Sequence, residues 1–156
     1  MEDMRMIAAY IRDRYQREYH TPIDEMKFHK MMYFAQRESL IQTGEPLFDA
    51  TFYGWKYGPV LKELRQMCKN DDFPQEVPQA TAEAVEPVMD AVFREYAPKD
   101  SWSLSRLTHG EISWRASRKG IPPQDVGDKP IELRNIRLDA DRIRQRRSAL
   151  TEMGLL

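Results

Sequence analysis

A chain of 156 residues, 41% apolar and 31% charged, holds enough apolar side chain to build one core without a metal or disulfide, and is too apolar to stay disordered. Its 24 basic and 25 acidic residues leave a formal charge of −1, which argues against a dedicated nucleic-acid binder, whose affinity rests on many lysine and arginine contacts to phosphates. One cysteine, Cys68, excludes an intramolecular disulfide; with no apolar run near the length of a membrane span and no signal-type start, a cytoplasmic protein without membrane contact is expected.

Met6, Ile7, Tyr10, Ile11 and Tyr15 recur at three- and four-residue spacing and predict an amphipathic helix over residues 3–18, stopped by Thr21-Pro22. Asp24 suits the N-cap of a second helix that runs to about Thr43. Its apolar residues, from Met26 to Leu40, cover more than one face, so this helix is expected to be central and packed on several sides. Ala50 to Lys56 reads as a short strand or extended segment, with Gly54 a bulge or a close approach. Tyr57-Gly58-Pro59 reads as a structural turn, and Pro59 suits the first turn of a helix that carries Val60, Leu61, Leu64 and Met67 and ends near Asn70.

Residues 71–80 are a surface loop, and helical patterning resumes over 82–96, where Pro87 is expected to mark the true start. Ser101 and Ser103 are the expected caps of a short helix containing Leu104 and Leu107. Glu111 to Arg118 is a further helical piece, and a last, charged helix runs from about Leu133 to Leu150. Residues 1–156 are therefore expected to form a single mainly α domain, a compact body of about six to seven helices with one or two short strands.

Little in the sequence points to catalysis. His20, His29 and His109 are widely scattered and Cys68 has no neighbour of its kind, so no metal site is expected. The seven glycines are isolated from one another, so no phosphate loop and no cofactor is expected, and no serine sits in a nucleophile-elbow pattern. Two clusters stand out instead. Lys27 and Lys30 share a helix face, with Tyr33 and Phe34 beyond them. This is either a core helix whose lysines snorkel to water, or a cationic rim that meets a partner. The second cluster, Trp55-Lys56-Tyr57-Gly58-Pro59, sets aromatics around a turn, as a packed corner or as interface anchors. The arginine-rich stretch from Arg134 to Arg147 reads as a solvated helix face, with nucleic acid or an acidic protein as the sharper alternative.

These clusters resemble the SocA-like Panacea domain, also described as a phage-associated protein. The resemblance rests on Lys27 to Gln36 with Gly44 to Asp49, on Trp55 to Val60, and on Leu104 to His109 with Glu111 and Trp114-Arg115-Ala116, in that order, over residues 24–118. Two departures are visible: Phe28, Met31 and Met32 stand where leucines are common, and Ser113 where a proline often precedes the tryptophan. The resemblance implies an antitoxin-type module found beside unrelated toxins and able to neutralise them, often by direct binding. One family member works instead as an adaptor that delivers its toxin to a bacterial protease. The expected partner is thus a cognate toxin encoded by the adjacent gene, with a protease as the alternative. Lys27, Lys30, Tyr33, Trp55 and Tyr57 are the expected partner-binding residues, with Thr108, His109 and Trp114 forming or buttressing the neighbouring surface or bonding the turn at Gly58-Pro59.

Overall fold

The computed structural model describes residues 1–156. Helix α1 (Met4–Tyr19) starts where the Asp3 carboxylate accepts the backbone N–H of Arg5 at 2.8 Å, satisfying one of the free donors of the first turn. Helix α2 (Glu25–Thr43) starts in the same way, with Asp24 accepting from the N–H of Lys27. Every residue of α2 from Lys27 to Leu40 is buried, and the helix touches α1, α3, α4, α5, α7 and the second strand. The expected central helix is found.

A helix buried all round must satisfy its polar residues internally, since an unpaired buried polar group costs about 1–3 kcal/mol. Gln36 does so by accepting from the backbone of Leu47 and Phe48 and donating to the Phe48 carbonyl. Arg37 pairs with Glu111 and the Tyr96 hydroxyl, and Glu38 takes a two-point ion pair from Arg147. The two lysines do not snorkel to water as the sequence suggested. Both are buried, because the first helix and the hairpin close over their face of α2.

Strands β1 (Tyr53–Trp55) and β2 (Gly58–Val60) form a two-stranded antiparallel hairpin with Tyr53 opposite Val60 and Trp55 opposite Gly58. Pro59 and Val60 therefore lie in a strand and not in the first turn of a helix. Helix α3 (Lys62–Asn70) begins three residues later. A strand with a free edge tolerates proline, which has no N–H for a ladder. The close approach expected at Gly54 is real: a β-carbon there would overlap Ser117 Oγ, and the Gly54 N–H bonds the Lys129 carbonyl.

Helix α4 (Gln79–Glu95) starts directly after Pro78 and runs through Pro87, so the expected start at Pro87 is wrong. Both Pro87 and Glu83, whose carbonyl loses its partner there, face water, which takes over the missing bond. Helix α5 (Ser101–His109) is capped by Asp100, not by a serine: its carboxylate accepts from the N–H and the hydroxyl of Ser103. Helices α6 (Ile112–Ser117) and α7 (Leu133–Glu152) complete a mainly α fold around α2, whose core includes Ile7, Phe28, Met31, Phe34, Leu64 and Met89.

Candidate partner-binding site

The two-residue turn Lys56-Tyr57 of the hairpin projects past α2, and four bonds hold it. The Trp114 indole N–H donates to the Trp55 carbonyl at 2.8 Å, and Ser105 Oγ donates to the Tyr57 carbonyl at 2.6 Å. Lys30 Nζ donates to the Pro59 carbonyl at 3.4 Å, and the Leu61 N–H to His29 Nδ1 at 3.1 Å. The turn is reached through Gly58, whose φ of +120° disfavours any side chain. Lys30 and Thr108 fill the space beneath it.

Beside the turn lies a cleft of about 350 Å³. Met26, Val60, Trp55 and Tyr57 make its apolar walls, while His29, Lys30, Lys56, Arg65 and Glu25 supply its polar groups. Glu25 is committed: its carboxylate accepts from His29 Nε2 at 3.1 Å and Arg65 at 3.2 Å, and the His29 bond holds its pKa below the ordinary value. Burial lowers the His29 pKa, so the ring is neutral, with Nδ1 accepting and Nε2–H donating. Burial likewise pushes Lys30 down to about 8, against the attraction of Asp24 and Glu25.

Outside the cleft, Tyr57 meets Trp102 edge to face with ring centroids 5.3 Å apart, and the two side chains are 45% and 53% exposed. Lys56 stands over the Tyr57 ring, and Arg65 over the ring of Trp55, whose indole N–H bonds Asp128.

Of the residues singled out by sequence, Lys30, Trp55 and Tyr57 come together here. Lys27 is buried against α1 instead, with Nζ 3.2 Å from the Tyr15 hydroxyl. Tyr33 is fully buried, donating to Asp139 at 3.2 Å with Ser113 Oγ 2.7 Å away. Thr108 is fully buried and donates to the Ser105 carbonyl, so it is Ser105, not Thr108, that bonds the turn. His109 stacks on Trp114 at 4.1 Å, and burial lowers its pKa against the pull of the Lys56 carbonyl. These two buttress the hairpin from behind.

Sequence reasoning missed Trp102, Met26 and Arg65. Trp102 carried a readable signal: it stands two residues before Leu104, about half a turn round α5 from the buried face. A large aromatic off the apolar stripe of a short helix faces water. Met26 and Arg65 meet only through the packing of α3 on α2, which no local pattern encodes.

The arginines of α7 are largely spent inside the chain. Helix α2 has no basic residue in its own last turn, and α7 supplies them: Arg137 donates to the Gly44 carbonyl at 2.6 Å and Arg144 to that of Leu40 at 2.7 Å.

A family model for the antitoxin SocA-like Panacea domain matches residues 28–115, more than half of the chain. The chain belongs to this family. The matched stretch holds most of α2, the hairpin, α3 to α5 and most of α6, and with them most of the cleft, though not Glu25 and Met26. Helix α7 lies beyond it, yet it holds the Panacea core in place through Asp139 and its arginines. No curated protein and no solved structure matches the chain. No helix is long and apolar enough to cross a membrane.

Proposed function

We propose that this Panacea domain is a cytoplasmic antitoxin that neutralises a cognate toxin by direct binding through the face made by the hairpin turn and α5, with no catalytic step. The observation that carries this reading is the Tyr57–Trp102 pair. Two large aromatics, each about half exposed and fixed edge to face, stand at the rim of a cleft. Tyrosine and tryptophan anchor protein interfaces because they bury a large area at little entropic cost. The turn that carries Tyr57 is rigid, held by Ser105, Trp114 and Lys30, so little order has to be created on binding. Bound there, the domain occludes the toxin's working surface.

The test is co-expression with the product of the adjacent gene, scoring growth and then co-purification. A neighbour that is toxic alone, harmless together and recovered as a stable complex supports neutralisation by binding. Rescue of growth without a complex, with a shortened toxin half-life, replaces it with delivery to a protease. A nucleic-acid role through α7 has fewer arginines to draw on, since Arg137, Arg144 and Arg147 are bonded to α2 and its C-terminal end.

A further inference from the structure

Lys30 sits in an unusual position for a lysine. The residue is 2% exposed, it lines the floor of the cleft, and its three N–H donors share one partner, the Pro59 carbonyl, at the long distance of 3.4 Å. A buried ammonium with so little return costs the fold free energy, and buried charges of this kind cluster at functional sites. The charge around it points the same way. Lys30, Lys56 and Arg65 line the cleft against one acid, Glu25, which already serves His29 and Arg65. Asp128, on the far side of Trp55, is bonded to the Trp55 indole and to Lys62. The cleft lining therefore carries an excess of two positive charges.

We propose that the cleft receives an acidic side chain of the bound toxin, its carboxylate meeting Lys30 at the floor while its methylene stem lies between Met26, Val60 and Trp55. The proposal rests on the partner-binding reading above and gives it chemistry. The cleft and the Tyr57–Trp102 pair share Tyr57, so a protein that covers the aromatic pair reaches the cleft from the same side. A free small acid would enter the cleft and leave both exposed rings uncovered; a side chain carried on a protein surface accounts for both features. In the complex the ammonium regains charge-assisted hydrogen bonds in a site already screened from water, where they are short and strong.

The free chain provides a test with defined probes. Acetyl-glutamate amide carries one side-chain carboxylate and no other charge, and acetyl-glutamine amide is its neutral counterpart. In titrations to tens of millimolar followed by nuclear magnetic resonance, the carboxylate probe is expected to shift the Trp55 indole N–H and the Gly58 amide saturably. The neutral probe leaves them in place, and Lys30→Met weakens the response at least about 10-fold. Equal responses to the two probes, no response to either, or a full response in Lys30→Met would each overturn the proposal. The last comparison has its own control: Lys30→Met, a neutral chain of similar length, is expected to melt no lower than the parent, whereas a purely structural lysine would lower the melting temperature when replaced. Should that variant not fold, the paired probes on the parent chain still decide.

Co-expression separates the two levels of the argument. Loss of toxin rescue in both Trp102→Ala and Lys30→Met supports both. Loss in Trp102→Ala with full rescue in Lys30→Met leaves the binding face standing and removes the acidic side chain. Rescue by both removes the face as well.

Discussion

Lys30 and Gly58 share one space: a β-carbon on Gly58 would stand 2.6 Å from Lys30 Cε, and equally close to Thr108 Oγ1. The hairpin turn can therefore lie on α2 only because residue 58 has no side chain. The same contact encloses the Lys30 ammonium and gives the cleft its floor. Fold and candidate site depend on one pair of residues.

Gly58→Ala follows from this directly. The alanine must hold a φ of +120° and push two buried side chains aside, so the substitution is expected to destabilise the domain by about 2–3 kcal/mol. Urea unfolding checks the magnitude. A variant as stable as the parent would mean that the turn relaxes freely, and that Lys30 is not confined by it.

Tyr57→Ala and Trp102→Ala are expected to leave unfolding within about 0.5 kcal/mol of the parent, because both rings stand at the surface. Each is expected to weaken the toxin complex by roughly 2 kcal/mol or more, as truncation of an interface anchor does. Tyr33→Phe is expected to do the reverse. Its hydroxyl lies between Ser113 and Asp139 in the interior, so its loss costs about 1–3 kcal/mol of stability and leaves affinity unchanged in whatever protein remains folded. Calorimetric titration beside urea unfolding separates the two patterns.

These contrasts mark where the sequence was readable. Helix α2 was legible in full, since Asp24 and Gly44 bracket a run whose apolar residues leave no face free, and the family motifs fell on the elements that build the cleft. The hairpin was half legible: the aromatic run before it reads as strand, but Pro59 carries a helix-start signal that the pairing of Gly54 with Pro59 overrides. Pro87 misled for a related reason, because exposure on α4 made its missing hydrogen bond cheap. Lysine burial could not be read at all. Whether Lys27 and Lys30 reach water depends on what packs over α2, and Tyr15 and Pro59 come from far along the chain. The same holds for Tyr33, whose place beside Lys30 in the sequence suggested the surface while the approach of α7 made it interior.

Glu111 and Lys30 are expected to contribute to the pH dependence of stability with opposite sign. Burial pushes the Glu111 carboxyl up to about 7, against the attraction of Arg37. Between its ordinary value and about 7 the folded state then holds a proton that the unfolded state has lost, so stability falls as pH rises, by at most about 1.4 kcal/mol per pH unit. Lys30 works the other way. With its pKa pushed down to about 8, the folded state has released a proton that the unfolded state keeps until near its ordinary value, and stability rises with pH through that range. Lys30→Met should remove the alkaline rise and leave the acid-side fall intact. Urea midpoints measured from pH 4 to pH 10 test both, and an alkaline rise that persists in Lys30→Met would assign it to another group.

Helix α7 makes the last prediction, because it lies beyond the matched family stretch and yet is tied to it by buried polar bonds. Asp139 is fully buried and accepts three hydrogen bonds, from the N–H groups of Ile112 and Ser113 at 2.7 and 3.0 Å and from Tyr33. It thereby caps the start of α6, which has no cap of its own, and fixes α7 against α2. Asp139→Ala leaves the N–H groups of Ile112 and Ser113 without a partner inside the protein and leaves Tyr33 with Ser113 Oγ alone, a loss expected to reach about 3 kcal/mol. Arg147→Ala breaks a two-point pair with the buried carboxylate of Glu38, but at a half-exposed position where water can follow, so a loss nearer 1 kcal/mol is expected. Hydrogen exchange on the two variants distinguishes their effects. Asp139→Ala is expected to expose the amides of α6 and α7 together, whereas Arg147→Ala loosens only the last turns of α7. Protection of α6 that survives Asp139→Ala would show that the helix is held by Trp114 and its packing on the hairpin, and not by the carboxylate.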